Sequence, residues 1–159
     1  MNWAIINTNA HFGFDPEPPE TNLERWHHTK HRHPWLVAED DRASIIAYAK
    51  SYDYNPREGY RWSCEVSVYV HPDHHGKGIA KVLYNDLITE LEQRGFRTLV
   101  ARIALPNEPS IRLHKSAGFT DAGLLKAIGH KQGRWHDTAI LTKHLGSGPP
   151  AESKPAPIT

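Results

Sequence analysis

Two short stretches of this chain combine residue types and spacing that could do chemistry. The first is HHGKGIA, a turn with two glycines and a lysine that leads into a helical stripe. Backbone N–H groups at a helix N-terminus are unpaired, and the dipole there is positive, so such a turn favours a phosphate. Gly76 and Gly78 let the backbone approach closely, and Lys77 adds charge. It is not a P-loop, because the GxxxxGKS/T spacing is missing, and so is the full GxGxxG fingerprint. The second is RWSCEVSVYV, in which Cys64, Val66, Val68 and Val70 alternate with Glu65, Ser67 and Tyr69. A strand here has one apolar face, and its other face carries an acid. Cys64 falls on the core face, away from Glu65, which argues against a covalent route through its thiol.

Histidines form two further clusters, His27, His28, His31 and His33, and His71, His74 and His75. The four-residue spacing of His27 and His31 on a helix can bind Zn²⁺. No carboxylate or thiol completes either set, so adventitious zinc or nickel binding is expected and a native metal site is not.

The elements that must position these groups follow from periodicity. Asn22 to Arg32 reads as a short His-rich helix ending near Pro34. WLVAE and SIIAYAKS read as an antiparallel hairpin across the polar turn DDRA. After HHGKG, the residues Ile79, Val82, Leu83, Leu87 and Leu91 recur at helical intervals up to Gly95, a C-cap signal. RTLVARIAL, Arg97 to Leu105, is a buried strand, so Trp62 to Leu105 makes a β, α, β unit with a parallel pair. A short helix, Pro109 to Ala117, ends at Gly118. FTDAGLLKAIGH and WHDTAILTKHL are strands joined by the Lys131 to Arg134 turn. The fold class is α/β with a mixed, twisted sheet.

At 159 residues the chain fits one domain. Residues 1–145 are expected to form it, and 146–159, with four prolines and almost no large apolar residue, to form a disordered tail. A formal charge of +1 gives no field that favours nucleic acid or a membrane surface, although protonating the 12 histidines would make solubility depend on pH. One cysteine and no long apolar run fit a protein of the reducing cytoplasm.

With these motifs in order, the chain resembles the GNAT superfamily of N-acetyltransferases, and within it the phosphinothricin (methionine sulfoximine) N-acetyltransferase family. The likeness runs from about Phe14 to Leu145 and is densest in EVSVYVHPDHHGKGIAKVLY, ALPNEPSIRLHKSAGF and GRWHD. It implies that the turn holds the pyrophosphate of acetyl-CoA through the pattern Gln/Arg-x-x-Gly-x-Gly/Ala, here His75, Gly76, Lys77, Gly78, Ile79 and Ala80. His75 replaces the usual Gln or Arg; binding is expected to survive and to vary with pH. Asn107 and Ser110 match positions that meet the pantetheine arm, Val70 is a further cofactor-binding position, and backbone N–H groups around Val68 and Tyr69, where relatives splay this strand from its neighbour, match the oxyanion donors.

The same resemblance makes Glu65 the general base for the attacking amine, directly or through water. An amino-acid amine arrives mostly protonated at neutral pH and must lose a proton before it attacks a thioester. His114 stands where many members carry a Tyr that protonates the leaving thiolate; it is either that acid or a polar wall. In the substrate loop, Asn55, Pro56 and Arg57 replace a pattern with two basic residues, followed by Tyr60 and Trp62. Arg57 can clamp a carboxylate or phosphinate. Phe14, Trp135 and His136 match pocket-wall positions.

Family members normally have a first strand and most of a helix before the segment matching NTNAHFGF. On that resemblance the usual first strand is expected to be missing here and a sheet edge to be bare, with a start further upstream, a shortened paralogue, or a dimer that covers the gap as the readings left open. The expectation is a cytoplasmic, homodimeric enzyme that transfers acetyl directly from acetyl-CoA to the α-amine of phosphinothricin, methionine sulfoximine or methionine sulfone, in a detoxifying role that would confer herbicide resistance. A degenerate acetyl-CoA-binding module without turnover, and an acetyltransferase for another amine such as a polyamine or peptide N-terminus, are the alternatives.

Overall fold

A computed structural model describes residues 2–146. Among them are four helices, α1 (Asn2–Asn7), α2 (Pro19–Thr29), α3 (Ile79–Gln93) and α4 (Glu108–Ser116). Six strands, β1 (Trp35–Glu39), β2 (Ile45–Asp53), β3 (Ser63–Val70), β4 (Thr98–Ala104), β5 (Thr120–Lys131) and β6 (Arg134–His144), form one sheet in the order β1-β2-β3-β4-β6-β5. Only β3 and β4 pair in parallel, joined through α3; the other neighbours are antiparallel. This is the mixed sheet that the alternation and the β, α, β unit predict.

Helix α3 packs on β1, β2 and β3, and α4 on β4. The core between them holds Ala47 and Ala49 of β2, Cys64 and Val66 of β3, and Leu99, Ala101 and Ile103 of β4 against Leu83, Tyr84, Leu87, Ile88 and Leu91 of α3. Val82, expected in that stripe, is 62% exposed. Its neighbours Leu83 and Leu87 already define the inward line at a four-residue step, and a residue 100° from that line faces water. Helix α2 spans Pro19–Thr29 rather than Asn22 to Arg32, because Pro19 occupies the first helical position, where its missing N–H is harmless. The expected tail from residue 147 onward lies outside the described residues.

The opposite face of the sheet is covered by α1, α2 and the segment between them. Tyr69 Oη donates to the Ala10 carbonyl (3.4 Å), and Asn9 Nδ2 donates to that of Leu105 (3.0 Å). The buried Lys131 ammonium donates to the carbonyls of Ile5 and His11. Among the described residues no strand precedes β1, which forms one edge of the sheet.

Candidate active site

The parallel pairing of β3 with β4 covers only Ser63↔Thr98, Cys64↔Leu99 and Glu65↔Val100. Beyond that point the two strands part. The resulting wedge opens into a cleft of about 930 Å³, lined on one side by Val66 to Val70 and on the other by Arg102, Ile103 and Ala104. It runs from Trp3 and Ala4 of α1 to the turn before α3 and the start of α4. Val68, Tyr69, Val70, the six residues His75, Gly76, Lys77, Gly78, Ile79 and Ala80, and Asn107 and Ser110 all line it. The sequence therefore grouped residues that the fold places along a single surface.

The turn fits a phosphate on its own geometry. Gly76 and Gly78 have φ of +75° and +79°, in the left-handed region, and a side chain built at either would meet open space. The cost of substitution there is backbone strain and obstruction of the cleft, with no clash inside the fold. Gly78 caps α3 without a side-chain bond, which leaves the first helical N–H groups facing the cleft mouth. His75 Nε2 donates to the Val70 carbonyl (3.0 Å), folding the ring back onto the end of β3. At the opposite wall Asn107 Oδ1 accepts the Ser110 N–H (3.3 Å) and caps α4.

Glu65 sits at the last paired position, the apex of the wedge, and is 4% exposed. Its Oε1 accepts from Tyr52 Oη (2.8 Å) and from Arg102 Nε (2.6 Å). Burial pushes the Tyr52 phenol well above its ordinary range, and the neighbouring Glu65 carboxylate adds to this, so Tyr52 stays protonated and donates. The bond to Glu65 likewise raises Arg102. The carboxylate is thus fixed through one oxygen by two donors that the sequence analysis did not single out. Cys64, beside it, is fully buried on the core face, and burial pushes its thiol far up, so no thiolate is available there.

His114 is 4% exposed and packed edge-on against Tyr84 and Phe119. Burial lowers its pKa, while the bond from Nδ1 to the Ser110 carbonyl (2.7 Å) acts weakly in the opposite sense. A neutral ring whose only N–H is directed to Ser110 has no proton to give at Nε2, which favours the wall over the acid. His33, also buried, bonds Ser51 Oγ (2.9 Å) and Asp53 (3.1 Å), yet burial still lowers its pKa.

Both histidines bind fewer protons folded than unfolded. Their stabilising contribution is complete above about pH 6.5, the unfolded value, and is lost as pH falls through the lower folded values. Tm is accordingly expected to fall between pH 7 and 5, before most carboxylates titrate. His114→Gln should flatten that dependence in thermal unfolding at matched ionic strength; an unchanged slope would exclude His114 as a contributor.

A second cleft, of about 390 Å³, lies under α2 on the same sheet face and is lined by His11, Arg25, Thr29, Trp35, Lys50, Ser51 and Tyr52. Ser67 and Tyr69 line both clefts, so the two adjoin at these residues of β3.

The expected substrate residues lie elsewhere in the single chain. Arg57 and Tyr60 are exposed at the short helical turn Glu58–Tyr60, which carries the loop outward, and Tyr60 packs on Tyr54. Trp62 lies under the Arg61 guanidinium, 3.9 Å from its ring centre. Phe14 and Trp135 are 70% and 65% exposed. His136 is buried, its Nε2 donating to the Lys131 carbonyl (3.1 Å) and its Nδ1 meeting Asn9 Nδ2 (3.2 Å), which uses both ring nitrogens to tie the N-terminal segment to the β5–β6 turn. None of these six lines either cleft.

Residues 2–119 match the model of the acetyltransferase (GNAT) family. The whole chain is 36% identical to a phosphinothricin N-acetyltransferase of Streptomyces viridochromogenes, covering 86% of that protein. Over 91% of the chain it is 36% identical to an L-methionine sulfoximine/L-methionine sulfone acetyltransferase of Pseudomonas aeruginosa, covering 84% of it. In structure it is similar to a phosphinothricin acetyltransferase from Sinorhizobium meliloti solved in complex with acetyl-CoA, with TM-score 0.89 and 36% identity over 96% of this chain and 85% of that one.

Proposed function

The chain belongs to the acetyltransferase (GNAT) family, and from that membership we propose that it transfers acetyl from acetyl-CoA to the α-amine of a small amino acid or analogue, such as phosphinothricin or methionine sulfoximine. The observation that carries this is Glu65, fixed at the point where β3 and β4 part, between the large cleft and Tyr52 of the smaller one.

Acetyl-CoA supplies the thioester when bound, and the residues present fit it. The open turn at Gly76 and Gly78 and the α3 N–H groups suit its pyrophosphate, and the wedge wall suits its arm. Glu65 then takes the proton of the amine, with Tyr52 and Arg102 fixing its orientation. Where β3 has parted from β4 it still pairs with β2, so the N–H of Tyr69 faces β2, and those of Val68 and Val70, which face the wedge, are suited to support charge developing on the carbonyl oxygen. His114 serves as the wall beside the Ser110 end of α4.

Leu124, Leu125 and Ile128 of β5 and Trp135 of β6 are exposed apolar side chains, which supports a homodimer closing over this hairpin. No helix among the described residues is long and apolar enough to cross a membrane, which is compatible with a cytoplasmic enzyme.

The test is to incubate the protein with acetyl-CoA and phosphinothricin, methionine sulfoximine, methionine sulfone, glutamate and spermidine, following free CoA and products by mass spectrometry. Selective acetylation of the amino acids is expected. Acetyl-CoA binding without product would mean a module that has lost turnover, and acetylation of spermidine alone a different amine.

A further inference from the structure

The strand register places Trp35 of β1, Lys50 of β2 and Ser67 of β3 in one row across the sheet, on the face away from the core. All three line the smaller cleft. The Lys50 ammonium lies 4.3 Å from the Trp35 ring centre, and among the described residues no carboxylate pairs with it. The other cationic group there, Arg25, is already bonded to Glu17 (2.5 Å), and His11 Nδ1 accepts the Gly13 N–H (3.0 Å). Trp35 Nε1 and Ser67 Oγ are buried and have no hydrogen-bond partner. A cleft with one unpaired ammonium and two donors still to be satisfied is short of an acceptor that carries negative charge.

The row lies beside the reacting position. Tyr52 stands opposite Glu65, and Lys50 opposite Ser67, so Lys50 and Glu65 are diagonal neighbours whose side chains start about 7–8 Å apart. The amine and acid groups of an α-amino acid sit on one carbon, so an amine directed at Glu65 leaves its acid group within reach of a lysine on the next strand. Building on the proposed amino-acid acetylation, we propose that Lys50, flanked by Trp35 and Ser67, anchors the α-carboxylate of the substrate in this cleft. Lys50 is then a specificity residue, in place of the exposed Arg57. Burial, with Arg25 acting in the same sense and Glu17 opposing, holds the Lys50 ammonium below its ordinary pKa, an expense of desolvation that an arriving anion relieves.

The test measures amino-acid binding in the presence of CoA, where turnover is impossible, by titration calorimetry with methionine sulfoximine. Lys50→Met is expected to raise Kd by about 10- to 100-fold, the range for one hydrogen bond to a charged group. Lys50→Arg should restore binding to within a few-fold, which separates loss of charge from loss of fold. Affinity for acetyl-CoA should be the same in all three proteins, and the decarboxylated amine should not distinguish wild type from Lys50→Met. Equal Kd for the amino acid in wild type and Lys50→Met, or a loss produced by Arg57→Ala instead, overturns the anchor and leaves acetyl transfer standing. Turnover of spermidine with no amino acid bound by the wild type overturns the substrate class and the anchor with it.

Discussion

Replacing Glu65 by Gln is expected to lower kcat by about 10²- to 10⁴-fold, the range contributed by a positioned general base, while affinity for acetyl-CoA stays within a few-fold. The variant is informative because it preserves the surroundings. The Gln carbonyl can still accept from Tyr52 Oη and Arg102 Nε at the position of Oε1, so the side chain keeps its place. Arg102 loses its counter-charge, but its side chain is 54% exposed and water takes up the solvation. What disappears is the ability to accept a proton from a substrate amine. Steady-state kinetics with saturating acetyl-CoA, together with direct titration of the cofactor, check this. Unchanged turnover would remove Glu65 from the mechanism and return it to a buried partner of Arg102.

Leu87→Ala should destabilise the fold by about 2–5 kcal/mol, the cost of a large buried side chain replaced by a methyl group in a core that collapses only partly. Leu87 is fully buried at the middle of α3, between Leu83 and Leu91. In a domain of this size the loss corresponds to a fall in Tm of roughly 5–15 °C. Val82→Ala, one position from the inward line and 62% exposed, should change stability by less than about 0.5 kcal/mol. Thermal and urea unfolding of the two variants side by side would show which residues join α3 to the sheet. Similar losses in both would contradict the packing described above.

The sheet and its order of elements were legible because alternation in β3 and the helical stripe of α3 are strong patterns, bounded by Gly78 and Gly95. The same alternation could have exposed more. In SIIAYAKSYD, Ala47, Ala49 and Ser51 point one way, which puts Tyr48, Lys50 and Tyr52 on the face of Glu65. Arg102 is the only charged residue inside the apolar run LVARIAL, a signal of an ion pair across strands. What no local pattern encodes is register: that Tyr52 stands opposite Glu65, or that β3 and β4 stay paired for only three positions, is fixed by contacts between distant segments. The substrate loop shows the same limit. Arg57 has the right chemistry in sequence, but the short turn at Glu58–Tyr60 directs it outward.

The short seam between β3 and β4 gives the molecule two leaves, β1-β2-β3 and β4-β6-β5, sharing a spine of three residue pairs. The shortest parallel tie of the sheet thus lies in its middle rather than at its rim, and Glu65 marks where it ends. A molecule that binds the folded protein across this gap would stitch the leaves together and add RT ln(1 + [L]/Kd) to the stability of the fold. Without a ligand the two leaves therefore depend on that short seam and on the core beneath it, and a ligand in the wedge adds a second tie.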